Sequence, residues 1–410
     1  MHRTVREERP AGDHYGRPVM TRPAAGPRIG PLVLATMASQ ALLVVLAPTI
    51  TAIAADLTAS VSSVGQARSV TAIVAVTASL TLSTRIDSIG VRRLLVVGSV
   101  LAVAACAAAA AAPNLPAFLA AHVLVGAAFA CQLTAGFAGV AAFDRSRRPW
   151  AFGHVAGANA LAWIVVNPAA GVLTQVSSWR LALAVPALLA VATLLAARTA
   201  VSTSESTPAL PLRALLSDRY ARRWIGAELL AFGCWTSLLT FAGAFFIERT
   251  AAGEATAGWL LAAGAAAYFV ASTRSAWLVA RVQRRHLVAS SALVMAALLP
   301  IMLTIEGPSA IGAGILFSLI GLIAGVRTPA SSGLGLDQLP EHAQAMMAIR
   351  TAVTQLGYFF GALLGGAVIA GAGYGTLGAV LAIGMAVSAL LVLRIRESRS
   401  AEPKDSLGTA

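Results

Sequence analysis

Long apolar stretches alternate with short polar gaps along nearly the whole chain. A helix that crosses a membrane needs about 20 mostly apolar residues, and twelve stretches of that kind follow one another here. Turn-forming residues such as Asn114, Pro116 and Pro308 fall in the gaps. The pattern predicts an all-α membrane protein. The twelve predicted transmembrane helices are residues 30–54, 64–84, 93–112, 116–140, 151–174, 181–197, 224–247, 255–279, 287–305, 310–330, 345–370 and 374–393.

The basic residues fall in every second gap. The arginine-rich gaps lie at residues 92–93, 145–148, 213–223 and 281–285, and both tails are arginine-rich as well. The intervening gaps hold only Arg68, Arg180 and Arg249. Lys and Arg in short loops are retained on the cytoplasmic side of a membrane. We therefore expect a multi-pass protein of a bacterial inner membrane with both termini in the cytoplasm.

The composition supports a membrane protein and argues against a nucleic-acid-binding one. The chain has 410 residues, of which 58% are hydrophobic and only 11% charged, whereas a soluble domain carries about 25% charged residues. A net charge of +13 would suggest nucleic acid in a soluble protein. Here the basic residues lie in short gaps, where they act as topology signals and contacts to anionic lipid. The three cysteines are isolated, so neither a metal site nor a disulfide framework is expected.

The longest polar interruption divides the chain into two similar halves. We interpret residues 198–223 as a cytoplasmic linker, with six helices in residues 30–197, six in residues 224–394 and tails at residues 1–29 and 395–410. Its last part, residues 211–223, could form an amphipathic surface helix. Three landmarks recur after 192 to 195 positions: Arg92 and Arg284, Asp144 and Asp337, Trp179 and Tyr374. The near-constant offset predicts a duplicated six-helix bundle in parallel orientation.

The gap after the second predicted helix carries a recognisable motif. Asp87, Gly90, Arg92 and Arg93 fit the pattern Gly-x-x-x-Asp-Arg-x-Gly-Arg-Arg/Lys, although positions 83, 88 and 91 differ from it. In this motif the chain resembles the major facilitator superfamily, and within it the twelve-helix drug and metabolite exporters driven by proton antiport. The resemblance implies that Asp87 and Arg93 help to hold and release one conformation. The alternative is that these residues only fix the topology.

A second motif lies in the fifth predicted helix. Asn167, Pro168 and Gly171, followed by Trp179 and Arg180, resemble the antiporter signature Gly-Pro-x-x-Gly-Gly before a Trp-Arg pair, with Asn167 in place of the first glycine. Proline bends a helix, and small neighbours let another helix approach closely. In the family this bend is thought to prevent leak, so the resemblance implies the same use here.

Two ionisable residues are candidates for proton coupling. His122 stands four residues before Gly126, where exporters of this kind carry an intramembrane arginine, and it lies about 9 Å into the membrane. Ionisable groups at such depth are functional candidates, and histidine titrates near neutral pH. The alternative is a neutral imidazole bonded to a nearby helix. Glu228 is expected to pair with Arg274, or else to serve as a protonation site.

Polar and aromatic residues within the apolar segments are candidates for the wall of a substrate cavity. Such residues also tie helices together, so the sequence leaves open which of them face the cavity. The candidates are Gln40, Gln132, Asn159, Trp163, Trp235, Tyr268, Arg327 and Tyr358.

These features favour a secondary active transporter that exports a small amphipathic or apolar molecule by proton antiport with alternating access. The alternative is a facilitator or proton symporter that imports a sugar or an organic acid. An enzyme is not expected, because the chain lacks the His-Glu-x-x-His, Gly-x-Ser-x-Gly and phosphate-loop motifs. The expected partners are a small-molecule substrate, protons and membrane lipid. No cofactor, metal or nucleic acid is expected, and the protein is expected to be a monomer.

Overall fold

The protein is all-helical in the described part of a computed structural model, which covers residues 27–83, 85–200, 217–307, 309–338 and 343–396. Most of the predicted tails 1–29 and 395–410, most of the linker 198–223 and the loop residues 339–342 lie outside the described residues. The twelve transmembrane helices are α1 (Gly30–Val44 and Leu46–Asp56), α2 (Val61–Ser83), α3 (Val91–Ala110), α4 (Leu115–Ala138), α5 (Arg148–Val176), α6 (Trp179–Ala182 and Ala184–Ala196), α7 (Arg219–Thr250), α8 (Glu254–Arg274), α9 (Arg284–Leu303), α10 (Ala310–Gln338), and α11 and α12 (Ala343–Leu393, divided at Gly373).

The length and apolar composition of these helices are those of membrane spans. Nine helices in the described ranges are long and apolar enough to cross a membrane, and the two segments of α1, bent by 41°, make a tenth. The last of the nine, Ile349–Leu393, has 45 residues and is long enough for two crossings. Helix α2 completes the twelve, and it is less apolar because it contains Gln66 and Arg68.

Gly373 makes the turn between α11 and α12. Its φ of 76° and ψ of −177° interrupt the otherwise helical run. This region of backbone conformation is adopted almost only by glycine. A glycine-rich stretch separates the two predicted helices, and within it Gly373 alone ends α11.

A Gly373→Ala variant is expected to be less stable by about 1–3 kcal/mol, because an alanine there would hold a conformation that its Cβ opposes. Thermal unfolding of the purified protein in detergent measures the effect. Gly371→Ala is the matched control, since Gly371 has open space around it and an ordinary φ. Equal melting temperatures for the two variants would contradict the assignment of the turn to Gly373.

The helices form two six-helix bundles that meet along three helix pairs. Helices α1 to α6 pack against one another, and α7 to α12 do the same. Between the bundles, α2 packs on α11, α5 on α8, and the second segment of α1 on α7. The second helix of each half thus packs on the fifth helix of the other half, as expected for a duplicated unit.

The polar gaps lie alternately at the two ends of the helices. One end is called here the arginine-rich end, and it carries Arg92, Arg148, Arg223, Arg284 and Arg394. The other is called the opposite end, and it carries Asp56, Arg180, Arg249, Glu254 and Glu306. At the opposite end Arg180 pairs with Asp56 and Arg249 with Glu306. The prediction that counted Arg68 with these gap residues is wrong, because Arg68 lies inside α2 and is 1% exposed.

Two helices extend furthest beyond their predicted bounds, each for a local reason. Helix α7 begins at Arg219 rather than at residue 224, because the Asp218 side chain accepts hydrogen bonds from the backbone N–H groups of Tyr220 and Ala221 and so caps the helix. Helix α10 continues through Pro329 to Gln338, since neighbouring helices stabilise proline kinks in membranes. Arg327 therefore lies well inside α10 rather than near its end.

Candidate functional site

A cavity of about 720 Å³ lies between the two halves. Helices α1, α4 and α5 line it from the first half, and α7, α8, α10 and α11 from the second. Because both halves form the wall, any relative movement of the halves changes the cavity. Six of the predicted lining residues are part of this wall: Gln40, Asn159, Trp163, Trp235, Tyr268 and Tyr358.

The wall combines aromatic rings with neutral hydrogen-bonding groups. The Trp163 indole N–H donates to Gln40 Oε1 at 3.3 Å, which joins α5 to α1. Across the cavity the rings of Trp235 and Tyr268 stack, with centroids 6.2 Å apart and planes inclined by 16°. Such surfaces suit a flat apolar molecule that also makes a few hydrogen bonds.

Two of the predicted lining residues lie elsewhere. Gln132 is fully buried inside the first half, where its amide contacts the Ser99 hydroxyl at 3.5 Å. Arg327 is 4% exposed and pairs with Glu228 behind the wall. Both residues are polar groups that tie helices together within one half, the alternative that the sequence left open.

The wall also contains residues that the sequence analysis missed. Arg350, Gln355 and Thr354 extend along α11, and Thr236 of α7 donates its hydroxyl to the Gly357 carbonyl at 2.8 Å. Arg350 lies over the ring of Phe232, with 5.6 Å between the guanidinium carbon and the ring centroid. Arg350, Thr354 and Tyr358 are spaced four residues apart and so lie on one face of α11. This spacing is a signal in the sequence that could have identified the face.

Close backbone contacts shut the cavity at the opposite end. A Cβ built on Gly243 of α7 would overlap the Ala47 carbonyl oxygen of α1, and one on Gly171 of α5 would overlap the Glu254 carbonyl oxygen of α8. A Cβ on Gly258 would lie 2.5 Å from the Asn167 carbonyl oxygen. Only glycine permits these approaches.

The cavity opens at the arginine-rich end instead. Its wall includes Phe152 and Gly153 in the first turns of α5, and Thr273 in the last turn of α8. All three residues are exposed. The arrangement is that of a vestibule that is open at one end and closed at the other.

The antiporter-like motif takes part in the closed end. Pro168 lies inside the continuous helix α5, and Asn167 donates its side-chain N–H to the Trp163 carbonyl at 2.7 Å. Asn167 also lines the floor of the cavity, and Gly171 faces α8 one turn further along. The motif therefore lies at the contact between the halves.

The motif after α2 lies at the arginine-rich end. Gly90 has a φ of 81°, which gives the turn expected of it, and Arg92 and Arg93 are exposed in the first turn of α3. Asp87 belongs to a short helix, Ile86–Ile89; its side chain lies outside what the structure describes. A role of Asp87 in switching stays a prediction.

Glu228 forms a buried ion pair with Arg327, not with Arg274. Arg327 Nη2 lies 2.6 Å from Glu228 Oε1, and the Ser331 hydroxyl donates to the same oxygen at 2.7 Å. The pairing with Arg274 is wrong, because Arg274 is exposed at the end of α8. Arg327, inside α10, lies against Glu228 of α7 instead. The second oxygen of Glu228, Oε2, has no hydrogen-bond partner among the described residues.

A small pocket separates this ion pair from the cavity. Its volume of about 10 Å³ is close to that needed to hold one water molecule. Arg327 lies on one side of it, and Phe232, Trp235 and Thr328 belong to both this pocket and the cavity wall. A single layer of side chains thus divides Arg327 from the cavity.

His122 lies away from the cavity, inside the first half. It is 7% exposed, and its Nδ1 donates to the Phe118 carbonyl at 2.8 Å. The imidazole also packs on the Phe118 ring, with centroids 4.4 Å apart. The imidazole is thus bonded within its own helix, whereas the alternative placed its partner on a nearby helix.

The fold is similar to that of known transporters. The family model of the Major Facilitator Superfamily matches residues 32–250 and 224–409. A solved D-xylose–proton symporter is 16% identical, with a TM-score of 0.72, and the alignment covers 90% of this chain and 97% of that one.

Two further structures agree in fold. The inward-open xylose transporter XylE from E. coli is 13% identical, with a TM-score of 0.72 and coverage of 91% and 97%. The nucleoside transporter NupG is 13% identical, with a TM-score of 0.71 and coverage of 89% and 98%. No curated protein matches the chain by sequence. With the family model spanning nearly the whole chain, and with two six-helix halves around one cavity, this multi-pass membrane protein belongs to the Major Facilitator Superfamily.

Proposed function

We propose that the protein exports a small amphipathic molecule from the cytoplasm in exchange for protons. The observation that carries this proposal is the cavity shared by both halves, open at the arginine-rich end and shut at the other. If the arginine-rich end faces the cytoplasm, as the charge bias predicts, the open vestibule takes up its substrate from inside the cell. Alternating access then follows when the halves rock about the cavity.

The cavity wall supports an amphipathic substrate. Two tryptophans, two tyrosines and several phenylalanines contribute to it, and the described lining residues include no Asp or Glu. A cationic drug would therefore lack a counter-charge in the wall. A neutral or anionic molecule with a ring is the better match.

An importer of a sugar or a nucleoside is the second candidate. Four side-chain amides, those of Gln40, Asn159, Asn167 and Gln355, line the cavity, and amides bonded to hydroxyls are what such a substrate would need. The solved xylose and nucleoside transporters are only 13–16% identical to this chain, so their likeness supports the fold and leaves the substrate open.

We assign the coupling proton to Glu228 in preference to His122. Glu228 pairs with Arg327, which lies next to the small pocket behind the cavity wall, whereas His122 is bonded within its own helix. Protonation of Glu228 would break the ion pair and free Arg327. Both groups lie inside the second half, where their rearrangement could alter the packing of α7 on α10.

Everted membrane vesicles test the direction and the coupling. Vesicles that contain the protein are expected to accumulate amphipathic solutes when their lumen is acidified, and a protonophore is expected to abolish the accumulation. Vesicles without the protein serve as the control. Protein-dependent entry of xylose or a nucleoside into intact cells, without accumulation of amphiphiles in everted vesicles, would favour the importer instead.

A further inference from the structure

We propose that the cavity takes an aromatic carboxylate and that Arg68 of α2 binds its anionic end. The proposal rests on the proposed function, because it names the substrate class of the same cavity. It starts from a charged residue that neither the motifs nor the cavity wall includes.

Arg68 is a buried cation without a hydrogen-bond partner. The residue is 1% exposed, and Nε, Nη1 and Nη2 all lack a hydrogen-bond partner among the described residues. A buried guanidinium is costly unless an anion and hydrogen bonds compensate it. The other arginine buried to a similar degree, Arg327, has Glu228 and is therefore compensated. Arg68 has five donors available for an incoming acceptor.

Arg68 lies directly behind the cavity wall. Its guanidinium carbon is 6.0 Å from the centroid of the Trp163 ring and 5.3 Å from that of the Tyr358 ring. Both rings line the cavity. The two rings thus compensate part of the charge through cation–π contact and stand between the guanidinium and the cavity.

Movement of the two halves would uncover Arg68. Trp163 belongs to the first half and Tyr358 to the second, so the rings separate when the halves do. On either side of Arg68 the closed contact is held by two hydrogen bonds from α2 to α11: Gln66 Nε2 to the Ala362 carbonyl at 3.3 Å, and the Ser69 hydroxyl to the Phe359 carbonyl at 3.1 Å. A carboxylate that binds uncovered Arg68 therefore favours the state in which this contact is open.

The rest of the cavity suits the same ligand. Arg350 lines the cavity towards the arginine-rich end, and its Nε has no hydrogen-bond partner among the described residues. It lies eight residues before Tyr358 on α11, a distance of about 12 Å along the helix. The aromatic surfaces of Trp163, Trp235 and Tyr268 lie in the same cavity. An anion can thus enter past Arg350 and place its ring against these surfaces, and its carboxylate meets Arg68 when Trp163 and Tyr358 separate.

Binding of matched probes to the purified full-length protein tests the proposal. Benzoate and benzamide have the same ring and differ in charge, and formate has the charge without the ring. Calorimetry is expected to show benzoate bound about tenfold or more tightly than benzamide, the range of one charge-assisted hydrogen-bonded contact. Benzoate is also expected to bind more tightly than formate, which lacks the apolar surface of the ring. In Arg68→Gln the preference for benzoate over benzamide is expected to disappear. Arg274→Gln, which removes an exposed arginine outside the cavity, is expected to retain it.

The melting temperature of the empty protein separates a binding arginine from a structural one. Arg68→Gln removes an uncompensated buried charge, so the empty variant is expected to melt at or above the wild-type temperature. A lower melting temperature, with the benzoate preference unchanged, would overturn the proposal, since Arg68 would then only hold the two rings. Equal affinity for formate and benzoate would overturn the aromatic part of it.

Failure of this inference can be told apart from failure of the proposed function. Proton-dependent accumulation of neutral amphiphiles in everted vesicles, with no preference for benzoate in the binding assay, would leave the exporter intact and overturn the carboxylate assignment. Loss of all proton-dependent accumulation, with the Arg68-dependent benzoate preference present, would overturn the exporter and leave the binding site.

Discussion

The Glu228→Gln variant is expected to lose proton-driven transport while it retains substrate exchange. Glutamine keeps the size of the side chain and can still accept from the Ser331 hydroxyl, which lies 2.7 Å from the carboxylate. It cannot bind and release a proton. Counterflow, in which labelled substrate exchanges for unlabelled substrate, requires binding and alternation but no net proton movement. Accumulation driven by a pH gradient should therefore fall to background, while counterflow continues.

The Glu228→Gln variant also leaves Arg327 without its carboxylate partner, and this is expected to lower the stability of the protein. Breaking a buried ion pair by removal of one partner costs about 3–5 kcal/mol, and Glu228 is fully buried. The double variant Glu228→Gln/Arg327→Gln removes both charges and is expected to recover much of the lost melting temperature. Transport driven by the pH gradient is expected to remain absent in it.

Two matched controls complete this experiment. Glu248→Gln changes an exposed carboxylate on the same helix, which accepts from the Tyr374 hydroxyl at 2.9 Å at the opposite end, and it is expected to leave coupling intact. His122→Gln is expected to do the same. Proton-driven accumulation that survives in the double variant, or that is lost in His122→Gln alone, would refute the assignment of the coupling proton to Glu228.

The Gly243→Ala variant is expected to open the contact at the opposite end. The added Cβ would overlap the backbone carbonyl of Ala47, and a backbone group cannot move aside as a flexible side chain can. Overpacking of this kind costs about 1–3 kcal/mol, which corresponds to a shift of about 5- to 150-fold in the balance between the two states. The transport rate is expected to fall by a similar factor, because the cycle needs this end to close.

Cysteine labelling in membranes measures that shift directly. With Cys106, Cys131 and Cys234 replaced, a single cysteine at Ser69 in the α2–α11 contact should react faster with a water-soluble maleimide in Gly243→Ala than in its parent. A single cysteine at Thr273, on the open side of the cavity, should react more slowly. Gly312→Ala is the control, because Gly312 has open space around it. Unchanged labelling at Ser69 would show that the closed contact tolerates the methyl group.

The positions of the spans could be predicted because membrane thickness dictates the length of an apolar segment. Departures occurred where a local interaction extended a helix. Asp218 caps α7 earlier than the apolar pattern begins, and α10 continues through Pro329. The second departure reaches the site, since it places Ser331 in the helix, where its hydroxyl donates to Glu228 beside Arg327.

The facing of the polar residues could be predicted only in part. Gln40 and Gln132 are both single amides in apolar helices, yet Gln40 lines the cavity and Gln132 is buried among helices of the first half. Membrane helices are apolar on most faces, so their periodicity does not distinguish lipid from a neighbouring helix. The distinction depends on helix rotation, which the packing of the whole bundle determines.

Arg68 was counted with a gap, although it also falls within the predicted helix 64–84. Ser62, Ser63 and Gln66 precede it, so the beginning of α2 resembles a loop in composition. In the folded protein these residues lie where α2 meets α11, and Gln66 bonds to the Ala362 carbonyl. A polar helix start within a membrane protein can therefore indicate a contact between moving parts.

The charge of Arg68, which has no hydrogen-bond partner in the part of the chain that the structure describes, also exposes the protein to the membrane voltage. A unit charge that crosses the whole field gains or loses about 2.3 kcal/mol per 100 mV, and a change of access from one side to the other moves Arg68 through part of that field. If the arginine-rich end faces the inside of a negatively polarised cell, the voltage favours the empty carrier in its inward-open form. A bound carboxylate neutralises the charge and removes this bias. The membrane voltage therefore acts on the empty carrier and no longer acts on the carrier with its substrate bound.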